Sequence, residues 1–156
     1  GIKKIQSNMW IGMGKLEKLD LSRNGIKDVA GAFHNLEKLR RLDLSDNAIK
    51  EIPAHAWDGL ANLMILDLSK NSENGQRGIR LIDAFWDGLR DLTRLDLSYN
   101  RIIWRDDFLQ GLTELRLEHL YFRGLDGRAQ KRRAKKAVEE EKNRNQNWTN
   151  LKLYVD

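Results

Sequence analysis

Leu39-Arg40-Arg41-Leu42-Asp43-Leu44-Ser45-Asp46-Asn47-Ala48-Ile49-Lys50-Glu51-Ile52-Pro53, continued to Trp57 and Leu60, holds one complete unit of a repeating pattern. Its opening, Leu-x-x-Leu-x-Leu-x-x-Asn, returns along the chain. The leucine triplets are Leu16/Leu19/Leu21, Leu39/Leu42/Leu44, Leu63/Leu66/Leu68, Leu92/Leu95/Leu97 and Leu112/Leu115/Leu117. An asparagine closes the first four units, at Asn24, Asn47, Asn71 and Asn100, whereas Leu120 holds that place in the fifth. Self-similarity at this period marks a stacked-coil architecture. Leucine supplies 24 of the 156 residues, and the repeat accounts for most of them.

The spacing has a physical reading. In Leu-x-Leu both leucines lie on one face of a short strand, since side chains alternate along it. Parallel stacking then turns the leucines inward and the interleaved residues outward. The asparagine falls where the chain leaves the strand, where its amide can pair backbone groups that the turn exposes. Later in each unit Phe33, Trp57 and Trp86 precede Leu36, Leu60 and Leu89 by three, with Trp10 standing likewise to Met13. At that spacing the aromatics read as core in preference to a ligand cage.

The motif Leu39-x-x-Leu42-x-Leu44-x-x-Asn47-x-Ile49-x-x-Ile52-Pro53, with Trp57-x-x-Leu60 after it, resembles the leucine-rich-repeat superfamily, over about residues 2–120. The isoleucine, proline and aromatic resemble repeats of extracellular and receptor-ectodomain proteins. The resemblance implies an α/β fold: a right-handed leucine-rich-repeat solenoid with a parallel β-sheet on its concave face, a binding surface and no reaction. The expected organisation is one domain over 1–156, with a partial repeat at 1–16, five repeats over 16–120 and a C-terminal cap over 121–156. In that cap a long helix over 128–144, with Asp126 as its N-cap, replaces the usual convex segment, and Trp148-x-x-Leu151-x-Leu153 is the final strand. Because the chain opens within a repeat at Gly1-Ile2, a fragment or a partner-covered edge is expected there. Ser72–Gly78 reads as an inserted polar loop, either simply tolerated or reaching sideways as an arm toward a ligand.

Composition excludes several chemistries. The absence of cysteine removes disulfides, thiol catalysis and cysteine-ligated metals. No run approaches the roughly 18 apolar residues of a membrane span. His34, His55 and His119 sit at unrelated repeat positions, so neither a metal site nor a catalytic constellation is read, and no cofactor is expected. The net charge of +5 is concentrated: Arg128, Lys131, Arg132, Arg133, Lys135 and Lys136 carry six positive charges, and removing them leaves the remainder at −1. That basic patch is either a solvated helix face paired back to Glu139, Glu140 and Glu141 or a contact for nucleic acid, anionic lipid or a nuclear import receptor.

On the concave face the alternation displays Lys18, Arg41, Ile65, Arg94 and Glu114, then Asp20, Asp43, Asp67, Asp96 and Arg116. Serines 22, 45, 69 and 98 with Glu118 follow, and after them Arg23, Asp46, Lys70, Tyr99 and His119. Six positive and seven negative charges offer no surplus for a nucleic-acid groove. The aspartate column is either a structural ladder or a slot for a cationic or hydroxyl-rich ligand. Arg41, Asp43, Ile65, Asp67, Arg94, Asp96 and Tyr99 are the candidate ligand-binding residues; Asn24, Asn47, Asn71 and Asn100 are the structural ladder. The functional expectation is non-catalytic recognition of a protein or microbial-surface ligand, extracellular or secreted. By analogy of fold it would serve innate immunity or adhesion. The alternatives are an intracellular scaffold or adaptor, cytoplasmic or nuclear, and an anionic-surface binder acting through 128–136.

Overall fold

The computed structural model describes residues 1–71, 79, 86–100, 109–125 and 127–156. The expected loop at 72–78 and the expected N-cap Asp126 lie outside the described residues. Six three-residue strands form one sheet in chain order: β1 (Lys18–Asp20), β2 (Arg41–Asp43), β3 (Ile65–Asp67), β4 (Arg94–Asp96), β5 (His119–Tyr121) and β6 (Lys152–Tyr154). Every neighbouring pair is parallel. A helix, α1 (Gly127–Arg144), lies between β5 and β6 in sequence.

The central leucines of the strands are in register, Leu19, Leu42, Leu66, Leu95, Leu120 and Leu153, one beside the next. The four inner ones are sealed from solvent, and Leu19 and Leu153, at the two edges, are partly buried. Behind them the aromatic row closes the core, with Phe33 and Trp57 stacked at 6.1 Å and Trp10, Trp86 and Trp148 all buried. Full burial of one such side chain contributes about 1.5–3 kcal/mol. The convex turns run close together at Gly88, which takes φ +94° and passes so near the previous coil that a Cβ there would stand 3.1 Å from the Trp57 carbonyl oxygen.

The asparagines stitch coil to coil. The Asn47 amide donates to the carbonyls of Leu21 and Leu44 at 2.9 and 3.0 Å and accepts from the Ile26 N–H at 3.0 Å. Asn71 repeats the pattern with Leu44, Leu68 and the Ile49 N–H. Asn100 donates to Leu68 and Leu97, but the N–H it accepts is that of Asn71 itself. Asn24, half-buried, accepts from Ile2.

The fifth coil corrects the sequence alignment. Leu112/Leu115/Leu117 is not the strand triplet, because β5 lies further on and pairs Leu120, not Leu115, with Leu95. Glu118 N–H and His119 N–H both donate to the Thr93 carbonyl, fixing that register. The template that the structure uses is Leu117-x-x-Leu120-x-Phe122-x-x-Leu125, so Leu125, not Leu120, stands at the ladder position. Glu114 and Arg116 therefore leave the sheet columns. The last strand slips in the same way: Leu153, rather than Leu151, is the residue beside Leu120.

Helix α1 buries Ala134 and Val138, one turn apart on one face, and keeps most of its charged side chains exposed, with Lys131, Glu141 and Lys142 half-buried. It stops at Asn145, whose amide donates to the Thr113 carbonyl at 2.7 Å and whose Oδ1 accepts the Asn147 N–H at 2.9 Å. The Trp148 indole then donates to Leu115 O at 3.1 Å, anchoring the return into β6.

Candidate binding face

With the register corrected, the outward columns change character along the sheet. The first residues of the strands are Lys18, Arg41, Ile65, Arg94, His119 and Lys152; the third residues are Asp20, Asp43, Asp67, Asp96, Tyr121 and Tyr154. Acidic side chains fill the first four places of the second column and tyrosines the last two.

Each aspartate ends its strand. One carboxylate oxygen of Asp20, Asp43, Asp67 and Asp96 accepts the N–H two residues on, from Ser22, Ser45, Ser69 and Ser98, at 2.9–3.0 Å. These are Asx turns, which satisfy the backbone as the chain leaves the sheet. The residue after each serine, at Arg23, Asp46, Lys70 and Tyr99, takes φ of +55° to +60°. The turn thus occupies one oxygen of each carboxylate and leaves the other outward; that of Asp43 lies 3.9 Å from the Arg41 guanidinium. Burial pushes the Asp67 carboxyl up, and Asp96 and Asp43 on either side add to the effect. At the exposed end, hydrogen bonds from Ser22 hold Asp20 below its usual range. The serine column is less available than its sequence suggests, since Ser98 is buried and its hydroxyl accepts the Arg123 N–H at 3.0 Å.

The structure places Arg41 and Arg94 exposed on β2 and β4, and Ile65 half-buried between them on β3. Tyr99 stands apart from these, in the turn after β4, exposed and with its ring against Gly124. The basic residues Arg128, Arg132, Arg133, Lys135 and Lys136 are exposed on α1, and Lys131 is half-buried there. Lys136 meets Glu140 at 3.6 Å, while Arg128, Arg132, Arg133 and Lys135 make no ion pair among the described residues.

An aromatic shelf closes the C-terminal end of the face, and its tyrosines, Tyr121 and Tyr154, are not among the residues that the sequence pattern places there. The rings of Tyr121 and Tyr154 stack at 4.2 Å with 5° between their planes. His119 Nδ1 lies 3.0 Å from the Tyr154 hydroxyl. The Arg94 guanidinium sits 4.6 Å from the centre of the Tyr121 ring, and that of Arg123 lies 5.9 Å from the same centre. Desolvation, with Tyr154 beside it, raises the Tyr121 phenol, against the pull of Arg94, so it remains a neutral donor. The alternation Leu120-Tyr121-Phe122 carried the signal, once Leu120 is read as the central leucine.

Along the other margin of the sheet runs a groove of about 590 Å³ lined by Glu17, Arg40, Met64, Asp91, Thr93 and Arg116 among others. Arg116 thus lines a lateral groove instead of the strand face. Among the described residues no cluster of three His, Asp or Glu side chains could hold a metal ion, and no helix is long and apolar enough to cross a membrane.

Comparison with known proteins agrees with this geometry. Family models described as leucine rich repeat match residues 1–49, 14–72 and 88–103. Human leucine-rich repeat-containing protein 66 is 43% identical over 58 residues, covering 36% of this chain and 7% of that protein. Human epiphycan is 35% identical over 80 residues, covering 51% of this chain and 23% of epiphycan. The chain therefore spans less than a quarter of either relative's length. Among solved structures, TLR13 in its complex with ssRNA13 superposes with a TM-score of 0.66 at 29% identity, over 80% of this chain and 18% of that one. With its repeat, its asparagine ladder and its in-register parallel sheet, the chain belongs to the leucine-rich-repeat family.

Proposed function

We propose that this chain is a non-catalytic recognition module that takes a protein or microbial-surface ligand on the outward face of its sheet. The observation that carries the reading is the face itself: six parallel strands hold two columns of side chains in register, and these run from Arg41 and Ile65 to the Arg94–Tyr121–Tyr154 shelf. Tyrosine and arginine are enriched among residues that dominate binding energy at protein interfaces, and here both are ordered and reachable. The solved TLR13 relative holds single-stranded RNA, which supports ligand binding as the role of such a coil. This chain's near-balanced columns favour a protein over RNA, because displacing counterions requires a surplus of cations.

Residence outside the cell, in defence or adhesion, is the companion proposal, supported by the Ile-Pro-aromatic repeat and by the sequon Asn147-Trp148-Thr149, whose asparagine is exposed. A second reading has its own observation. Four exposed α1 cations, Arg128, Arg132, Arg133 and Lys135, lack ion pairs among the described residues and suit an anionic surface.

The test is capture from panels of secreted and cell-surface proteins and of cell-wall polymers. The double variants Arg94→Glu/Tyr154→Ser on the sheet and Arg132→Glu/Arg133→Glu on α1 are compared with the parent. The sheet variant should lose at least about 1.4 kcal/mol, tenfold, of affinity for the captured ligand, and the α1 variant should keep it. Loss confined to the α1 variant would transfer the function to the basic helix.

A further inference from the structure

We infer that the corner formed by Arg94, Tyr121 and Tyr154 is a receptor for a carboxylate side chain, an aspartate or glutamate beside an apolar group in an extended segment of the partner. The inference rests on the sheet face being the binding surface, and it specifies the chemistry which that face selects.

Three features carry it. First, the Arg94 guanidinium lies over the Tyr121 ring at 4.6 Å, and among the described residues it has no ion-pair partner. A guanidinium stacked on an aromatic face keeps its in-plane N–H groups directed outward, where they fit a carboxylate as a fork. Secondly, two further cations frame the place: Arg123, 5.9 Å from the same ring, and Lys152, exposed on β6 beside His119. The nearest column carboxylate, Asp96, already spends one oxygen on the Ser98 N–H. The corner therefore carries three cations against two carboxylates, Asp96 and, near Arg123, Asp156, whereas the first three strands carry Lys18 and Arg41 against three aspartates. Thirdly, the floor is rigid. The stacked tyrosines, with His119 3.0 Å from the Tyr154 hydroxyl, have little rotamer freedom left to lose on binding. Their ring edges supply an apolar bed beside the cation.

Polarity along the sheet follows. A bound segment lies with its acidic residue over β4–β6, and a basic residue, if present, toward Asp43 and Asp67 on β2 and β3.

Two peptides test this, N-acetyl-Gly-Phe-Glu-Gly amide and its Gln counterpart, titrated to millimolar concentration against the isotope-labelled full chain by NMR. The Glu peptide should bind about threefold to fivefold more tightly, the range for an exposed ion pair. Its shifts should centre on Tyr121, Tyr154 and the Arg94 side chain. Arg94→Gln should erase the Glu/Gln difference, and Arg94→Lys should restore only part of it. Retention of the parent spectrum elsewhere shows that these variants fold. Equal binding of the two peptides on the sheet overturns the carboxylate receptor but leaves the binding face intact. Binding centred on Arg132 and Arg133 of α1 overturns both. A Glu preference that survives Arg94→Gln, or the absence of any shift at the corner, also overturns the inference.

Discussion

Replacing Asn71 with alanine removes more hydrogen bonding than its size suggests. The Asn71 amide donates to Leu44 O at 3.0 Å and Leu68 O at 2.9 Å, and its oxygen accepts the Ile49 N–H at 3.2 Å, all at a site sealed from water. The two carbonyls are cushioned: Leu44 O keeps the Asn47 amide and Leu68 O keeps that of Asn100. The Ile49 N–H loses its acceptor. An orphaned buried donor costs about 1–3 kcal/mol, and the two lost donations about 0.5–1.5 kcal/mol each, for a total of about 2–6 kcal/mol. Asn24→Ala is the internal control. It breaks bonds of the same kind, to Ile2 N–H and to the carbonyls of Leu21 and Ser22, but at a half-buried place that water can enter, so about 1 kcal/mol is expected. For a chain of this length each kcal/mol moves the melting temperature by roughly 2–4 °C. Thermal unfolding followed by far-ultraviolet circular dichroism should therefore show a drop of about 10 °C or more for Asn71→Ala and about 3 °C for Asn24→Ala. Equal, small drops would refute the claim that the ladder acts by pairing buried backbone rather than by filling space.

Gly88→Ala, with φ +94° and a Cβ landing 3.1 Å from Trp57 O, should lose about 2–3 kcal/mol in urea unfolding. Gly12→Ala, at φ +83° but facing open space, should lose about 1 kcal/mol. Leu66→Ala on an inner strand, contacting coils on both sides, should cost about 2–5 kcal/mol, and Leu19→Ala on the half-buried edge clearly less by the same assay. Asp67→Asn keeps the acceptor for the Ser69 N–H while removing a charge whose folded-state pKa is raised. A raised carboxyl penalises the fold above that pKa and is relieved as pH falls through it. The variant should therefore melt higher than the parent at neutral pH and lose that advantage in acid. Asp20, with a lowered pKa, has the opposite sign: its contribution is present above the ordinary aspartate pKa and fades as pH falls through the folded value, so Asp20→Ala should lower melting at neutral pH and converge with the parent in acid.

Helix α1 illustrates how the last coil is held. Its cations crowd the first half and its glutamates the second, an order that opposes the helix dipole by a few tenths of a kcal/mol per charge. Three small apolar contacts, Ala134, Val138 and the partly buried Ala137, give it little area of its own. What fixes it is its far end, where Asn145 and Trp148 donate to the carbonyls of Thr113 and Leu115 in the preceding coil. The helix is docked by the segment that follows it. Apart from the Lys136–Glu140 and Lys142–Glu139 pairs, the order of its exposed charges serves no contact among the described residues.

Between Leu16 and Asn100 the fold was legible because one short template decides strand, turn and ladder together, and each instance constrains the next. Arg41, Ile65 and Arg94 follow from period-two alternation on three of those strands. After Asn100 the template becomes ambiguous. Leu112/Leu115/Leu117 and Leu117/Leu120/Phe122 both satisfy it, sharing Leu117, and the asparagine that would choose between them is replaced by leucine in either frame. Every leucine concerned is buried in the structure, so hydrophobicity could not break the tie. What breaks it is a long-range pairing, Glu118 and His119 onto the Thr93 carbonyl, which no local pattern encodes. A slip of this size exchanges one set of outward residues for another. It replaces Glu114 and Arg116 with His119 and Tyr121, and an unremarkable charged end with an aromatic shelf. The chemistry of the binding face therefore depends on register at its C-terminal strands, the part of the chain where local sequence constrains register least.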